Sequence, residues 1–257
     1  MVYINFKIMA KYKSLFKVRG SIDDVNFYKT EDGYGIRSKS SLDKARLKSD
    51  PAFERTRENN SEFGSCATSG KILRRAIIDL VANAKDNKLA SRVTQVMTQV
   101  KNFDLTSARG QRNVATGILT PEGKIPLKGF NFNRKAPLSE VLRSEYSLDT
   151  ATGEVIINNF MPIQQLAVPE GATHVEFTAG FLNLDFAMQE ADMQISNIEN
   201  LAINGTTATV TLTPATPATG TGQNFYLLKV AFFQEINNLQ YPLKNGTFNA
   251  LQILEVL

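Results

Sequence analysis

The segment KILRRAIIDLVANA, residues 71–84, decides the reading of the first half of the chain. Ile72, Leu73, Ala76, Ile77, Leu80, Val81 and Ala84 recur at three- and four-residue spacing, while Lys71, Arg74, Arg75 and Asp79 fall mostly off that stripe. This is the pattern of a helix with one buried face. Leu89, Val93, Val96, Met97, Val100 and Phe103 repeat it, and the intervening Lys85-Asp86-Asn87 predicts a turn that makes the two helices an antiparallel pair.

Upstream, Asp50 is suited to cap a helix, Pro51 to its first position and Glu54 to its positive end, with Gly64 as the expected stop. Lys39 to Lys48 reads as an exposed basic loop. Before it, residues 14–38 read as a β-hairpin: Val25–Tyr28 and Tyr34–Arg37 flank Thr30-Glu31-Asp32-Gly33, and Asp-Gly is a strong turn signal. Gly20 and Gly35 mark expected bulges or close backbone approaches. Downstream, Thr106 to Lys135 is basic and punctuated by Gly and Pro, with one short helix expected near 107–116.

The texture changes near residue 136. Strands are expected at 154–158, 174–181, 188–195, 207–213, 225–235 and 248–256. Turn signals separate them at Thr152-Gly153, Pro169-Glu170-Gly171, Asn204-Gly205 and Asn245-Gly246. Short strands at this spacing predict an antiparallel β-sandwich of jelly-roll or immunoglobulin-like type, and residues 211–222 predict a long exposed loop. The expected fold class is α+β in two domains. Residues 1–135 would form a basic hairpin and helical domain, and 136–257 an acidic β-sandwich.

Charge follows the same division. Residues 1–135 hold 26 Lys/Arg against 13 Asp/Glu, a net of +13, and residues 136–257 hold 3 against 12, a net of −9. The overall +4 conceals this asymmetry, which points to a polyanionic partner or to subunits that meet basic face to acidic face. Apolar residues at 42% and charged residues at 21% are ordinary for a folded globular chain. No apolar run approaches the roughly 18 residues of a membrane-spanning helix. The first eight residues are too short for a signal sequence, and Met9-Ala10-Lys11 reads like a second start. Synthesis in the cytoplasm is expected.

The motifs with chemical potential fall to simpler readings. Gly64 to Lys71 resembles a phosphate loop, but five residues separate its glycines, Ile72 follows the lysine and no strand precedes it. Ser65, Thr68 and Ser69 suit helix capping instead. His174 is the sole histidine and Cys66 the sole cysteine, which excludes an intramolecular disulfide and any histidine metal cluster. Asp23-Asp24, adjacent on a strand, would point to opposite faces, whereas Glu190 and Asp192 could share one and bind a cation. Asn204-Gly205-Thr206 and Asn245-Gly246-Thr247 match the glycosylation pattern and read better as hairpin turns. No catalytic set, cofactor site or metal site is expected, and the chain is read as a non-enzyme.

The candidate interaction residues are basic and aromatic: Lys11, Lys13, Lys17, Arg19, Phe27, Tyr28, Lys29, Tyr34 and Arg37 around the hairpin, with Arg74 and Arg75 on the helix. Lys39, Arg92, Arg109 and Arg112 add to the same charge. Interleaved aromatics and cations suit single-stranded nucleic acid, although no helix-turn-helix, zinc or RNP signature is present. A solvated face, or one that meets an acidic neighbour, suits the same residues.

Residues 18–29, VRGSIDDVNFYK, followed by Asp32-Gly33-Tyr34, resemble the opening of an uncharacterised family of Bacteroidota-type bacteria. DPAFERTREN at 50–59 and Glu62-Phe63-Gly64 resemble its next block. The resemblance covers roughly residues 10–115 and implies no activity. The leading expectation is a structural subunit of a homo-oligomeric assembly: a filament, tube or phage-tail-like particle, assembled in the cell and released by lysis. In it, residues 1–20 would add a strand to a neighbour's sheet. The alternative is a nucleic-acid-binding protein that uses the basic half.

Overall fold

The computed structural model describes residues 10–12, 17–30, 33–39 and 44–257. The chain divides into two compact units between Glu54 and Arg55.

The first unit is a four-stranded antiparallel sheet built from β1 (Ala10–Tyr12), β2 (Gly20–Ile22), β3 (Val25–Thr30) and β4 (Gly33–Ser38), in the order β1-β4-β3-β2. The expected hairpin is the β3–β4 pair, with Thr30 opposite Gly33. Its turn residues Glu31 and Asp32 lie outside the described residues. Asp23 and Asp24 are not on a strand, as the opposite-face reading assumed. They turn the chain between β2 and β3, Asp23 at φ 47°, because Ile22 pairs with Val25. Gly35 is the expected close approach: a Cβ there would lie 2.6 Å from the Tyr28 ring. Of residues 1–20, expected to reach a neighbour's sheet, 10–12 and Gly20 pair within the chain's own sheet, and 1–9 and 13–16 lie outside the described residues. Part of the expected loop at 39–48 is instead helix α1 (Lys44–Ser49). Asp50 caps a 3₁₀ turn at Pro51–Phe53 as expected, accepting the Ala52 amide at 2.9 Å. Among the described side chains of residues 17–53, none is buried.

The second unit begins with α2 (Glu54–Ala76), α3 (Ile78–Val81) and α4 (Leu89–Lys101). Gly64 does not end a helix, because α2 runs through it without a break. An interior glycine costs about 1 kcal/mol, and α2 offsets this by burying Glu62, Cys66, Ser69, Gly70 and Leu73. Thr68 and Ser69 are therefore not caps: their hydroxyls donate back to the carbonyls of Gly64 and Ser65. The antiparallel pairing is read from three contacts in step. Glu62 meets Lys101, the Cys66 thiol meets the Met97 carbonyl, and a Cβ at Gly70 would lie 3.0 Å from Val93. Each step is four residues forward on α2 and four back on α4, the spacing of one helical ridge.

Short helices follow at α5 (Val114–Gly117), which overlaps only the end of the expected 107–116 region, α6 (Pro121–Lys124) and α7 (Leu138–Val141). Then come β5 (Ser147–Leu148), β6 (Val155–Phe160), α8 (Pro162–Gln165), β7 (His174–Asp185), β8 (Glu190–Ala202), β9 (Ala208–Leu212), β10 (Gln223–Ile236), β11 (Leu239–Pro242) and β12 (Ala250–Val256). Six of these match the expected strands. The strand expected from Met188 starts two residues later, because Asp185 accepts the amides of Ala187 and Met188 and turns the chain. The short β11 was not expected. It follows a turn in which Asn237 and Asn238 both have left-handed backbone, at φ 54° and 62°.

β11, β10, β7 and β8 form one sheet in that order, with β12 also paired to β10, and β5, β6 and β9 form another. Helices and antiparallel sheets are thus mixed, as an α+β class requires. The five-stranded sheet is apolar on both faces. Leu182, Leu184, Phe225, Leu227, Leu251, Ile253 and Val256 pack with Cys66, Leu73, Ile77, Leu80, Val93 and Met97 of the helices. Val175, Phe177, Ala179, Phe181, Leu228, Val230 and Phe232 pack with Val155, Ile157, Phe160, Val210 and Leu212 of the smaller sheet. The expected boundary at 135/136 therefore falls inside the second unit. There the change from helix to strand separates two layers over a shared core, and the break between compact units lies some eighty residues earlier.

Candidate interaction surfaces

Cross-strand register places the hairpin residues. Phe27 lies opposite Ile36 and Lys29 opposite Tyr34, so these four share a face with Val25. Asn26 opposite Arg37 and Tyr28 opposite Gly35 make the other face. The Lys29 ammonium lies 6.0 Å from the Tyr34 ring centre, and the Arg37 guanidinium 5.6 Å from that of Tyr28. Both separations are in the range of cation–π attraction. Lys17 and Arg19 are exposed beside this sheet. Lys11 holds a backbone position opposite Gly35, and Lys13 lies outside the described residues.

The helical cations divide into two groups. Arg74 and Arg75 lie on the outer side of α2, Arg74 half-buried with its Nε donating to the Gly70 carbonyl, and Arg75 exposed. Arg92, Arg109 and Arg112 are engaged within the second unit. Arg92 donates to Asp86 and to the carbonyls of Asn131 and Phe132, with its guanidinium 5.1 Å from the Phe130 ring centre. Arg109 pairs with Glu58 at 3.1 Å. Arg112 donates to both Glu62 oxygens at 2.8 Å.

Glu62 centres a buried network that sequence reasoning missed. Its carboxylate also takes the Lys101 ammonium at 2.6 Å and the Gly110 amide at 2.8 Å. The Arg112 contact is the strongest of these influences and outweighs burial, so the pKa falls to about 2. Nearby, burial pushes Asp104 up, but the Ser107 hydroxyl and amide, the Asn113 amide and the Thr106 hydroxyl overcome it and hold that carboxyl at about 2. Every acceptor here serves α2, α4 or the loop 104–113, so the network fixes the fold. No local pattern around a lone glutamate in a helix of small residues announces it.

The remaining motifs also have structural partners. Cys66 is buried, and burial raises its thiol pKa. His174 meets Thr173 and Glu235. Gly64 to Lys71 lies within α2, so no loop is present there to cradle a phosphate. Glu190 and Asp192 do line one cavity of about 170 Å³ with Asp185, Thr219 and Thr221. Asp192 accepts from Gln194 and from the Thr219 amide and hydroxyl, which tie the 213–222 loop to β8. Among the described residues no group of three or more His, Cys, Asp and Glu is placed to hold a metal, and no helix is long and apolar enough to cross a membrane.

Apolar side chains remain exposed on both layers of the second unit. A groove of about 680 Å³ between α2 and α4 is lined by Phe63, Ala67, Arg74, Ala90, Thr94 and Thr98 among others. Phe63 is 60% exposed. At the end of the large sheet, Ile236, Leu239 and Tyr241 are each at least half exposed.

No family model, curated protein or solved structure matches this chain.

Proposed function

We propose that the chain is a structural subunit that assembles with copies of itself through contacts between basic and acidic surfaces. The observation that carries this reading is how charge is distributed over the layers. Within the second unit, residues 55–135 hold 15 Lys/Arg against 6 Asp/Glu, while residues 136–257 are net −9. The unit is neutral as a whole and strongly polarised across its large sheet. Such a body attracts its own copies head to tail, and repetition gives a ring or an open helix according to whether the rotation closes. Filament, tube and phage-tail-like particle are the assemblies of this kind, formed where the chain is made and released by lysis. The two sheets that share a core are read as a sandwich of jelly-roll or immunoglobulin-like type, a compact block suited to stacking. Light scattering with negative-stain microscopy, at low and physiological salt, tests the reading. Particles larger than a monomer that shrink as salt rises are expected. A monodisperse monomer at every protein concentration and both salts would exclude it.

A second reading rests on the hairpin. Its unit carries 11 Lys/Arg against 7 Asp/Glu, and two of its cations lie beside tyrosine rings. A single nucleic-acid strand could exchange base stacking for those contacts. Fluorescence anisotropy with a labelled oligonucleotide at low salt tests it. Absence of binding at micromolar protein removes this reading.

A further inference from the structure

We infer that the contact between copies is made by the β10–β11 arm of one copy inserting into the α2/α4 groove of the next, an inference that rests on the self-assembly reading above. The arm is defined by register. His174, the first residue of β7, pairs with Phe233, and β10 continues past that point to Ile236 before returning through β11. Residues 234–241 therefore form a two-stranded ribbon beyond the last β7 pairing, held on its Glu235/Gln240 face by the Glu235 amide donating to the Thr173 hydroxyl and by Gln240 bonding Asn200 of β8. In this ribbon Ile236 lies opposite Leu239 and Gln234 opposite Tyr241. These two pairs share a face, because successive cross-strand pairs alternate. The ribbon thus presents Ile236, Leu239 and Tyr241 together, at 51%, 60% and 50% exposure.

The groove has matching properties. Ala67 and the exposed Phe63 of α2 line one side, and Ala90, Thr94 and Thr98 of α4 the other, with Ser91, Gln95 and Gln99 beside them. Its volume of about 680 Å³ is in the range that takes several side chains. Charge selects the occupant. A two-fold pairing of groove on groove would press together two layers of net +9 each, with Arg74 at the contact. A ribbon that belongs to the −9 layer brings unlike charge instead, while its own Glu235 stays beside His174 on the opposite face. Because arm and groove are different surfaces of one chain, the contact is heterologous and can propagate.

The test uses two surface variants of the full chain, Phe63→Asp in the groove and Leu239→Glu in the arm. Both sites are exposed, so each variant keeps the wild-type circular dichroism and melting behaviour. Sedimentation velocity of the wild type is expected to show assemblies, and each variant alone to lose about tenfold or more in association and run as a monomer. An equimolar mixture retains one intact groove on the Leu239→Glu chain and one intact arm on the Phe63→Asp chain, so it should form a heterodimer and stop there. If the wild type assembles and either variant still does so at wild-type strength, the arm-in-groove contact is overturned while self-assembly stands. If both variants are monomeric but their mixture does not dimerise, the pairing of these two surfaces is again overturned. A wild type that is monomeric throughout overturns self-assembly and this contact together.

Discussion

The Lys101 ammonium lies 2.6 Å from the Glu62 carboxylate, and both side chains are buried, at 7% and 3% exposure. Neither charge could remain there alone, because an unpaired buried ion costs several kcal/mol. Glu62→Gln leaves Lys101 and Arg112 facing a neutral amide, and it is expected to lower unfolding stability by about 3 kcal/mol. Lys101→Met should cost less, since Arg112 and Gly110 still hold the carboxylate. Urea melts of both single variants and the double variant check this. The double variant should be more stable than additivity predicts, the mark of a direct pair.

The same network sets an acid limit. Glu62 and Asp104 titrate near 2 in the folded protein, against ordinary values of 4.5 and 3.8. Protons therefore bind the unfolded chain first, and stability from these groups is complete above about pH 5 and is lost as pH falls toward 2. Denaturant midpoints measured from pH 7 to pH 2 should drop through that window. In Glu62→Gln the drop should be shallower, because one of the two carboxylates no longer titrates.

Two glycines of α2 separate propensity from packing. Nothing lies within 4 Å of a Cβ built on Gly64, so Gly64→Ala should gain about 0.5–1 kcal/mol of helix stability. At Gly70 the Val93 side chain is 3.0 Å away and Met97 is 3.7 Å away. Gly70→Leu must push α2 from α4 and should cost about 1–3 kcal/mol. Thermal melts of the two variants are expected to shift in opposite directions.

Asn249 joins three parts of the second unit. Its side chain accepts the Phe232 amide and donates to the Asn83 carbonyl beyond α3, while its own carbonyl accepts from Asn133. Asn249→Ala strands an amide and a carbonyl in a dry setting, and about 2–3 kcal/mol should be lost. Hydrogen exchange at the Phe232 amide is expected to accelerate more in this variant than in any of the surface variants.

Much of this fold is legible in the chain, for local reasons. The stripe Leu89, Val93, Met97, Val100 marks α4 because burial and the 3.6-residue period coincide there. Asp50-Pro51 marks a helix start because its chemistry is contained within three residues. Gly64 misled because glycine's weak helix propensity is local, whereas the burial that overrides it on α2 is tertiary. The change of texture at residue 136 falls inside the second compact unit for a similar reason: periodicity reports an element, not what covers it. A signal was nevertheless present. FYLLKVAFF at 225–233 and FTAGFLNL at 177–184 are apolar almost without alternation, which is the mark of strands covered on both faces. A sandwich with one solvated outer face would have alternated. Of the candidate residues, Phe27, Tyr28, Lys29, Tyr34 and Arg37 share two adjacent strands, divided between the two faces of the sheet. Arg92 and Arg112 were drawn inward by Asp86 and Glu62, partners 6 and 50 residues away that no spacing rule connects.

The layered core gives the last prediction. Residues 50–257 contain the Asp50 cap and both clusters of buried side chains, so this fragment should fold and melt cooperatively without the first sheet. Residues 136–257 should not. Removing the helices uncovers Leu182, Leu184, Phe225, Leu227, Leu251, Ile253 and Val256 on one face of the large sheet. At about 1.5–3 kcal/mol for each buried side chain, that loss is as large as the whole stability of an ordinary domain. An apolar patch of this extent also drives aggregation. The shorter fragment is expected to bind a hydrophobic dye strongly, elute in the void volume and show no cooperative melt. The longer one is expected to elute as a discrete species with a sharp transition. A soluble, dye-silent and cooperatively melting 136–257 would show that the β layers need no helical cover, and would restore the boundary at residue 136 as a true domain limit.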